Sequence, residues 1–229
     1  MGIIRFAAEY AANKIMRAAA MRALLQDAIK VESRELLPYL ETGRVVNVNN
    51  NIGVFLACSE TTLLMVSPFQ GYEIWGLEWC EHIPYLNEAG NSFDIRTSAT
   101  SFMDGVENCN QIKKALKDDS HSYSFPAFDF CMRKGAGWYL PAIDELELFK
   151  SPSIINPINR ALAAYKADTI LPDQESNAFW SSTDTNAIEG ENTGAMALKV
   201  SKDGNVAIKC LQKGDFLKVL PFYKHCFPI

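Results

Sequence analysis

A run of hydroxyl side chains, Ser181 to Thr183, directly follows Trp180 and is the first candidate for chemistry in this chain. A serine or threonine becomes a nucleophile only when a base is held within hydrogen-bonding reach of it. The chain has three histidines, none placed close to this run in the sequence: His82, His121 and His225. We therefore expect these hydroxyls to satisfy backbone groups at the end of a strand. An enzyme is the least favoured class of function.

The carboxylates Asp144, Glu145 and Glu147 could form an acid–base pair. They fall at the start of a predicted helix, where the helix dipole favours negative charge, so a structural role is expected. The histidines and cysteines show no metal-ligand spacing. We expect no catalytic residue, no metal site and no cofactor.

Six cysteines are widely spaced and include no C-x-x-C pair: Cys58, Cys80, Cys109, Cys131, Cys210 and Cys226. Free, mostly buried thiols in a reducing compartment are the favoured interpretation. One or more disulfides remain the alternative, with Cys109 and Cys131 as a possible pair.

The composition is that of a globular protein: 229 residues, 48% hydrophobic and 21% charged. A net charge of -5 argues against broad nucleic-acid binding, which needs a basic face. We predict no secretory signal and no transmembrane segment. The expected location is on a virion, or otherwise the cytoplasm.

The stretch from Gly135 to Phe149, GAGWYLPAIDELELF, is the most distinctive element that could position such residues. Its glycines predict a turn, and the residue before Pro141 is forced into an extended conformation. Pro141 suits the first turn of a helix that buries Ile143, Leu146 and Phe149 or Leu148 on one face. Trp138 here, and Trp180 in the FWSST strand, are expected to fill the core.

The first segment, from Ile3 to about Leu37, is predicted to be one helix or two, because it contains neither proline nor glycine. Its polar stripe is narrow, so most of its circumference favours burial. Three explanations stay open: packing against the rest of the chain, association with helices of an oligomer or a larger assembly, and a basic membrane-surface helix.

A boundary is expected between an N-terminal helical segment, 1-46, and a second domain, 47-229. The pattern predicts three helices. The first, at 104–116, has Val106, Ile112 and Leu116 inward; the second, at 124–132, has Phe128 and Cys131 or Met132 inward; the third, at 154–167, has Ile158, Leu162 and Tyr165 inward. Strands are predicted at 45–48, 52–57, 63–66, 179–182, 194–200, 206–209 and 216–220. Asp203-Gly204 and Lys213-Gly214-Asp215 are hairpin signals, and Asn87 to Asn91 is a predicted turn.

The order of these parts carries a resemblance to a known family. An opening hairpin of the strands 52–57 and 63–66 comes first, followed by a helix start at Asp104 to Cys109. An aromatic-rich helix that ends in GWYLP comes next, then the EL helix, AFWSST and a closing meander. This resembles the bacterial and phage domain family related to the C-terminal domain of the Legionella collagen-like adhesin. The resemblance covers Ile52 to about Phe222, and the closing segment from Leu217 departs from the usual pattern.

The resemblance implies an α+β, C-type-lectin-like fold, with a twisted antiparallel sheet, flanking helices and long loops. The N-terminal helical segment precedes this fold in the chain. It also implies binding of a protein or glycan receptor on a target cell, as in adhesins, phage tail-tip binders and variable proteins of diversity-generating retroelements. Polar residues after FWSST and on later strands or turns are then the candidate ligand-binding set: Asp184, Thr185, Asn186, Glu189, Glu191, Asn192, Lys209 and Lys213. A homo-oligomer or larger assembly through the N-terminal helix is expected. The alternative is a cytoplasmic structural or interaction protein without an external ligand.

Overall fold

The structure is a computed structural model. It describes residues 2–71, 76–81, 97–118, 124–170, 177–185, 194–201, 203 and 205–228, without the side chains of 2–11 and 118. The turn predicted at Asn87 to Asn91 lies outside these residues.

Helices and strands alternate irregularly along the chain, as in an α+β protein. The helical elements are α1 (Gly2–Asp27), a 3-10 helix (Arg34–Tyr39), α2 (Gly105–Asp118), α3 (Pro126–Met132), α4 (Ile143–Glu147), a second 3-10 helix (Leu148–Lys150) and α5 (Pro152–Ala164). The strands are β1 (Ile29–Lys30), β2 (Val45–Val48), β3 (Asn51–Cys58), β4 (Thr62–Val66), β5 (Trp138–Tyr139), β6 (Asn177–Thr185), β7 (Gly194–Val200), β8 (Val206–Gln212) and β9 (Phe222–Cys226).

The chain divides into two compact units, each built from separated pieces of sequence. The first unit comprises Met1–Phe69, Ser153–Ile170 and Lys224–Ile229. The second comprises Gln70–Pro152 and Leu171–Tyr223. The boundary predicted between residues 46 and 47 falls inside the first unit.

The sheet of the first unit runs in the order β1-β2-β3-β4. β1 pairs parallel with β2, whereas β2 with β3 and β3 with β4 pair antiparallel, so the predicted opening hairpin is confirmed. The C-terminal half of α1 buries Ala20 and Leu24 against Val45 and Phe69. Arg17 adds an ion pair with Asp168, at 2.7 Å.

α1 ends ten residues before the predicted limit of Leu37. Ile29 and Lys30 leave the helix to pair with Val46 and Asn47 of β2. β-branched residues such as Ile29 and Val31 fit an extended strand better than a helix, and here the tertiary pairing overrides the absence of glycine and proline.

The second unit contains the three-stranded antiparallel sheet β6-β7-β8. β7 and β8 pair without interruption from Gly194↔Gln212 to Val200↔Val206, which confirms the hairpin predicted around residues 203 and 204. β6 pairs with β7 on both sides of an irregularity between Trp180 and Asp184. β5 pairs antiparallel with the first two residues of β9.

The GAGWYLP stretch has the predicted conformations. Gly137 has φ +86, and a Cβ there would lie 2.5 Å from the Tyr223 ring, so both the backbone and the space require glycine. Ile143, Leu146 and Phe149 are buried, as predicted. Pro141, however, precedes the helix, because Ala142 is its N-cap.

Other predictions need correction. In α2 only Ile112 of the three predicted residues is buried; Val106 and Leu116 are exposed, because the inward face carries Cys109 instead. Tyr165 lies beyond the end of α5 and is only half-buried.

Residues 216–220 do not form a ladder strand. The segment is extended, but it bonds alternately to two neighbours: Leu217 and Val219 bridge to Leu77 and Gly71, and Lys218 bonds to Ala178 and Trp180. The hairpin predicted at Lys213-Gly214-Asp215 is accordingly a turn into this segment.

Candidate functional site

The predicted ligand-binding residues fall into three groups in the structure. Asp184 and Thr185 are the last residues of β6, and not loop residues as the sequence indicated, because the strand continues past FWSST. Lys209 is exposed on β8, whereas Lys213 is buried in the turn after it. The remaining four lie outside the described residues: Asn186, Glu189, Glu191 and Asn192.

Asp184 and Lys213 form a buried ion pair. The Nζ of Lys213 lies 2.6 Å from Oδ1 of Asp184, and the two side chains are 7% and 4% exposed, respectively. Removing two charges from water costs several kcal/mol per ion, so such a pair persists only when further polar partners surround it.

Those partners are Thr97 and Trp79. The Thr97 backbone N–H and hydroxyl both donate to Oδ2 of Asp184, at 3.2 and 2.8 Å. The Lys213 ammonium lies 4.9 Å from the centroid of the Trp79 ring, within range of a cation–π interaction. We call Trp79, Thr97, Asp184 and Lys213 the anchor cluster.

Further hydrogen bonds join members of the anchor cluster to one another and to neighbouring residues. The Lys213 carbonyl accepts from the N–H of Trp79 at 2.9 Å, and the Asp184 N–H donates to the Ala99 carbonyl at 2.8 Å. The Trp79 indole donates to the carbonyl of Ser181, at 2.8 Å. The cluster therefore fixes the chain just before residue 82, just after residue 96 and just before residue 186.

The FWSST hydroxyls are committed to internal hydrogen bonds, as the sequence predicted. Ser181 Oγ donates to the Met196 carbonyl at 2.7 Å. Thr183 Oγ1 donates to the Ser101 carbonyl at 3.0 Å and accepts from the Ile143 N–H at 3.1 Å. Trp180 is fully buried, and its indole donates to the Leu77 carbonyl. The strand is thus a structural frame.

Glu145 has a similar role at the start of α4. Its Oε2 accepts from the backbone N–H groups of Ala142 at 2.8 Å and Gly105 at 3.1 Å, and its Oε1 accepts from the Tyr139 hydroxyl at 2.7 Å. It thereby caps its own helix and holds the start of α2. Burial, reinforced by the Glu145 charge, raises the pKa of Tyr139 well above its ordinary value.

The buried thiols are poor nucleophiles. Burial raises the pKa of Cys80 and of Cys109 to about 12, and it also raises the pKa of Cys131. A thiol with so high a pKa stays protonated at neutral pH, and the thiolate is the reactive form. All six cysteines are free, as expected, and the Cys109–Cys131 disulfide is not formed. The expected burial holds for four of them, whereas Cys58 and Cys226 are exposed.

Exposed polar chemistry in the second unit is offered by β8. Each of its residues is at least partly exposed, and Lys209 stands across from Ala197 of β7. In the described part of this sheet β8 is an edge strand, and β7 pairs with it on one side. Within the described residues, the candidate surface is therefore the exposed edge of β8. The next residue in the chain is Lys213 of the anchor cluster.

Two further observations concern the described part of the chain. Among those residues there is no group of three or more histidine, cysteine or acidic side chains arranged to hold a metal ion. No helix within them is long and apolar enough to cross a bilayer.

Sequence reasoning missed Trp79 and Thr97 as members of the anchor cluster. Trp79 stood out only as part of an aromatic stretch, and Thr97 had no distinguishing pattern.

Comparison of the chain with family models, with curated proteins and with solved structures finds no match.

Proposed function

We propose that this protein is a non-enzymatic recognition module, adhesin-like, that displays a polar surface on a C-type-lectin-like scaffold. The class is that of phage tail-tip receptor binders and of the variable proteins of diversity-generating retroelements. The anchor cluster is the observation that carries the proposal. It holds Asp184 rigidly at the point where the chain enters residues 186–193, and it also fixes both ends of residues 82–96.

Rigid attachment at both ends favours binding by a polar segment, since ordering a loop on binding costs conformational entropy. The buried pair also assigns roles within the candidate set. Asp184 and Lys213 support the surface from inside, and the contacts to a receptor come from Lys209 and the polar residues 186–192. The receptor is a protein or a glycan of a target cell surface.

The experiment separates contact from support. A variant with Asn186, Glu189, Glu191 and Asn192 all changed to Ala is expected to lose binding to intact bacterial cells and to a printed glycan array, with its melting temperature unchanged. The matched control changes Glu32, Glu41 and Glu60, which are exposed polar residues of the first unit, and it should bind like the wild type.

Undiminished binding by the four-residue variant would show that the surface lies elsewhere. Absence of binding by the wild type to either probe favours the second candidate, an interaction protein without an external ligand. The observation behind that candidate is the internal use of Asp184 and Lys213, two of the eight predicted contact residues.

A further inference from the structure

The two edges of the three-stranded sheet in the second unit differ in how their backbone groups are satisfied. At the β6 edge, the Trp180 N–H donates to the Lys218 carbonyl at 3.0 Å, and the Ala178 carbonyl accepts from the Lys218 N–H at 3.0 Å. Further along, the N–H groups of Ser182 and Asp184 also donate to carbonyls outside the sheet. Other segments of the chain therefore close the β6 edge.

The β8 edge has no such cover in the described part of the chain. Between Val206 and Leu211, no backbone group bonds to another described backbone group except in β7. β8 contains no proline, and its pairing with β7 runs over seven residues without a bulge. An edge strand of this kind presents unpaired N–H and C=O groups on which another strand can form.

The register identifies the residues that carry these open groups. In an antiparallel ladder, the N–H and C=O of one residue point to the same side, and successive residues alternate. Trp180 points away from β7, so Ala197, which lies opposite Trp180, points towards β8 and bonds to Lys209. The alternate residues of β8 then point outward: Val206, Ile208 and Cys210.

The side chains of β8 give this edge one apolar face and one basic face. The three outward residues have half-buried, mostly apolar side chains on one face, whereas Ala207 and Lys209 are exposed on the other. Lys199 of β7 pairs with Ala207 and is also exposed, so the two lysines are diagonal neighbours on the basic face. Neither lysine forms an ion pair with an acidic side chain of the described chain.

We propose that the β8 edge binds an extended segment of a partner protein in which apolar and acidic residues alternate. The segment adds a strand to the sheet through the outward backbone groups. Its apolar side chains lie beside Ile208, and its carboxylates lie across from Lys209 and near Lys199. This inference deepens the proposed recognition function and rests on it, because it makes the receptor a protein and not a glycan.

Charge argues against a second copy of this chain as the occupant. Two β8 strands paired about a two-fold axis would place Lys199 and Lys209 of both copies on one face of the joined sheet. Like charges at neighbouring positions of a sheet are destabilising. An acidic segment instead neutralises both lysines.

A synthetic peptide with capped ends, TVEVEVT, reproduces the proposed pattern in either strand direction because its sequence is symmetric. Titration of the full chain with up to about 5 mM peptide, followed by NMR chemical shifts, covers the affinity of so short a contact. The control peptide TVKVKVT has the same apolar residues and should bind at least about tenfold more weakly. Lys209→Glu should reverse this preference, and an unchanged preference would contradict the proposed contact.

Methylation of the peptide nitrogen separates strand addition from charge attraction. An N-methyl group on the central valine removes the N–H that bonds to the Ile208 carbonyl, so the affinity should fall at least about tenfold. An N-methyl group on one glutamate is the matched control. That N–H points away from β8, so the dissociation constant should change by less than about threefold. Equal weakening by the two methyl groups overturns the proposal.

Amide hydrogen exchange tests the edge without a peptide. In the free chain, the N–H groups of Val206, Ile208 and Cys210 should exchange at least about tenfold faster than those of the intervening residues, which bond to β7. TVEVEVT should slow the exchange of the outward groups. Protection of these groups in the free chain would mean that another segment already occupies the edge, and it would overturn the proposal.

The outcomes separate this inference from the proposed function. If the wild type binds cells or the glycan array but not TVEVEVT, the strand site is wrong and the recognition function stands. If TVEVEVT binds as expected but the wild type binds neither cells nor glycans, the strand site stands and the adhesin-like function is wrong.

Discussion

The buried charges of the second unit show how a polar residue can serve the structure without contacting a ligand. Asp184 accepts a hydrogen bond from Thr97 and forms an ion pair with Lys213, and Lys213 also contacts the Trp79 ring. An ion pair of this kind is weak evidence for net stability, but breaking it leaves an uncompensated charge in the interior. The pair therefore fixes the local structure, although it adds little to the free energy of unfolding.

Lys213→Met should lower the free energy of unfolding by about 3 to 5 kcal/mol, because it leaves the Asp184 carboxylate buried without its counter-ion. Adding Asp184→Asn should recover a large part of that loss. The amide oxygen of Asn still accepts from Thr97, and no charge remains buried. Urea denaturation followed by circular dichroism measures both values. A double variant as unstable as Lys213→Met alone would contradict this account.

Thr97 shows why this site could not be found from the sequence. It lies 87 residues from Asp184, and nothing in its neighbourhood distinguishes it from a loop threonine. The sequence signal of Asp184 was instead that of a solvated loop residue, because it follows a hydrophobic strand motif. Local patterns predict which residues share an element, whereas partners this distant are set by topology.

Among the elements, the predictions that held rest on short-range rules. The β3–β4 hairpin, the GAGWYLP turn and the buried face of Ile143, Leu146 and Phe149 follow from turn residues and periodicity. The errors have tertiary causes. α1 stops where β2 offers a pairing partner, and Val106 faces outward because Cys109 and Ile112 take the buried face of α2.

α1 packs on its own unit through few side chains. Substitutions on its buried side and on its exposed side test this packing. Leu24→Ala should lower the free energy of unfolding by about 2 to 4 kcal/mol, since Leu24 is fully buried. Met16→Ala, at a side chain that is 54% exposed, should change it by less than about 0.5 kcal/mol. Both are measured by urea denaturation at a protein concentration where the chain is monomeric. Equal effects would mean that the helix does not pack on this unit in solution.

For the whole molecule, we predict that the buried thiols make the free energy of unfolding fall at alkaline pH. In the unfolded chain Cys80 and Cys109 ionise near their ordinary pKa of 9.0, but burial raises both values to about 12 in the folded protein. Their contribution to stability is therefore complete below pH 9 and is lost as the pH rises from 9 towards 12. At pH 10 the loss should be about 1 kcal/mol per thiol.

Urea denaturation at pH 8 and pH 10 measures this loss. The Cys80→Ala, Cys109→Ala variant is less stable at both values because of the lost packing, but its decrease between them should be smaller than that of the wild type. An equal decrease would assign the alkaline sensitivity to other groups, such as Tyr139, whose pKa burial also raises.

The first unit is assembled from residues 1–69, 153–170 and 224–229, and this has a consequence during synthesis on the ribosome. At about 5 to 20 residues per second, Tyr165 and Ala167 are made roughly 5 to 20 seconds after Phe69. Until then the apolar surfaces of Ala20, Leu24, Val45 and Phe69 lack these two packing partners. The nascent chain is thus a candidate client for chaperones that shield early hydrophobic segments, even though the finished unit buries them.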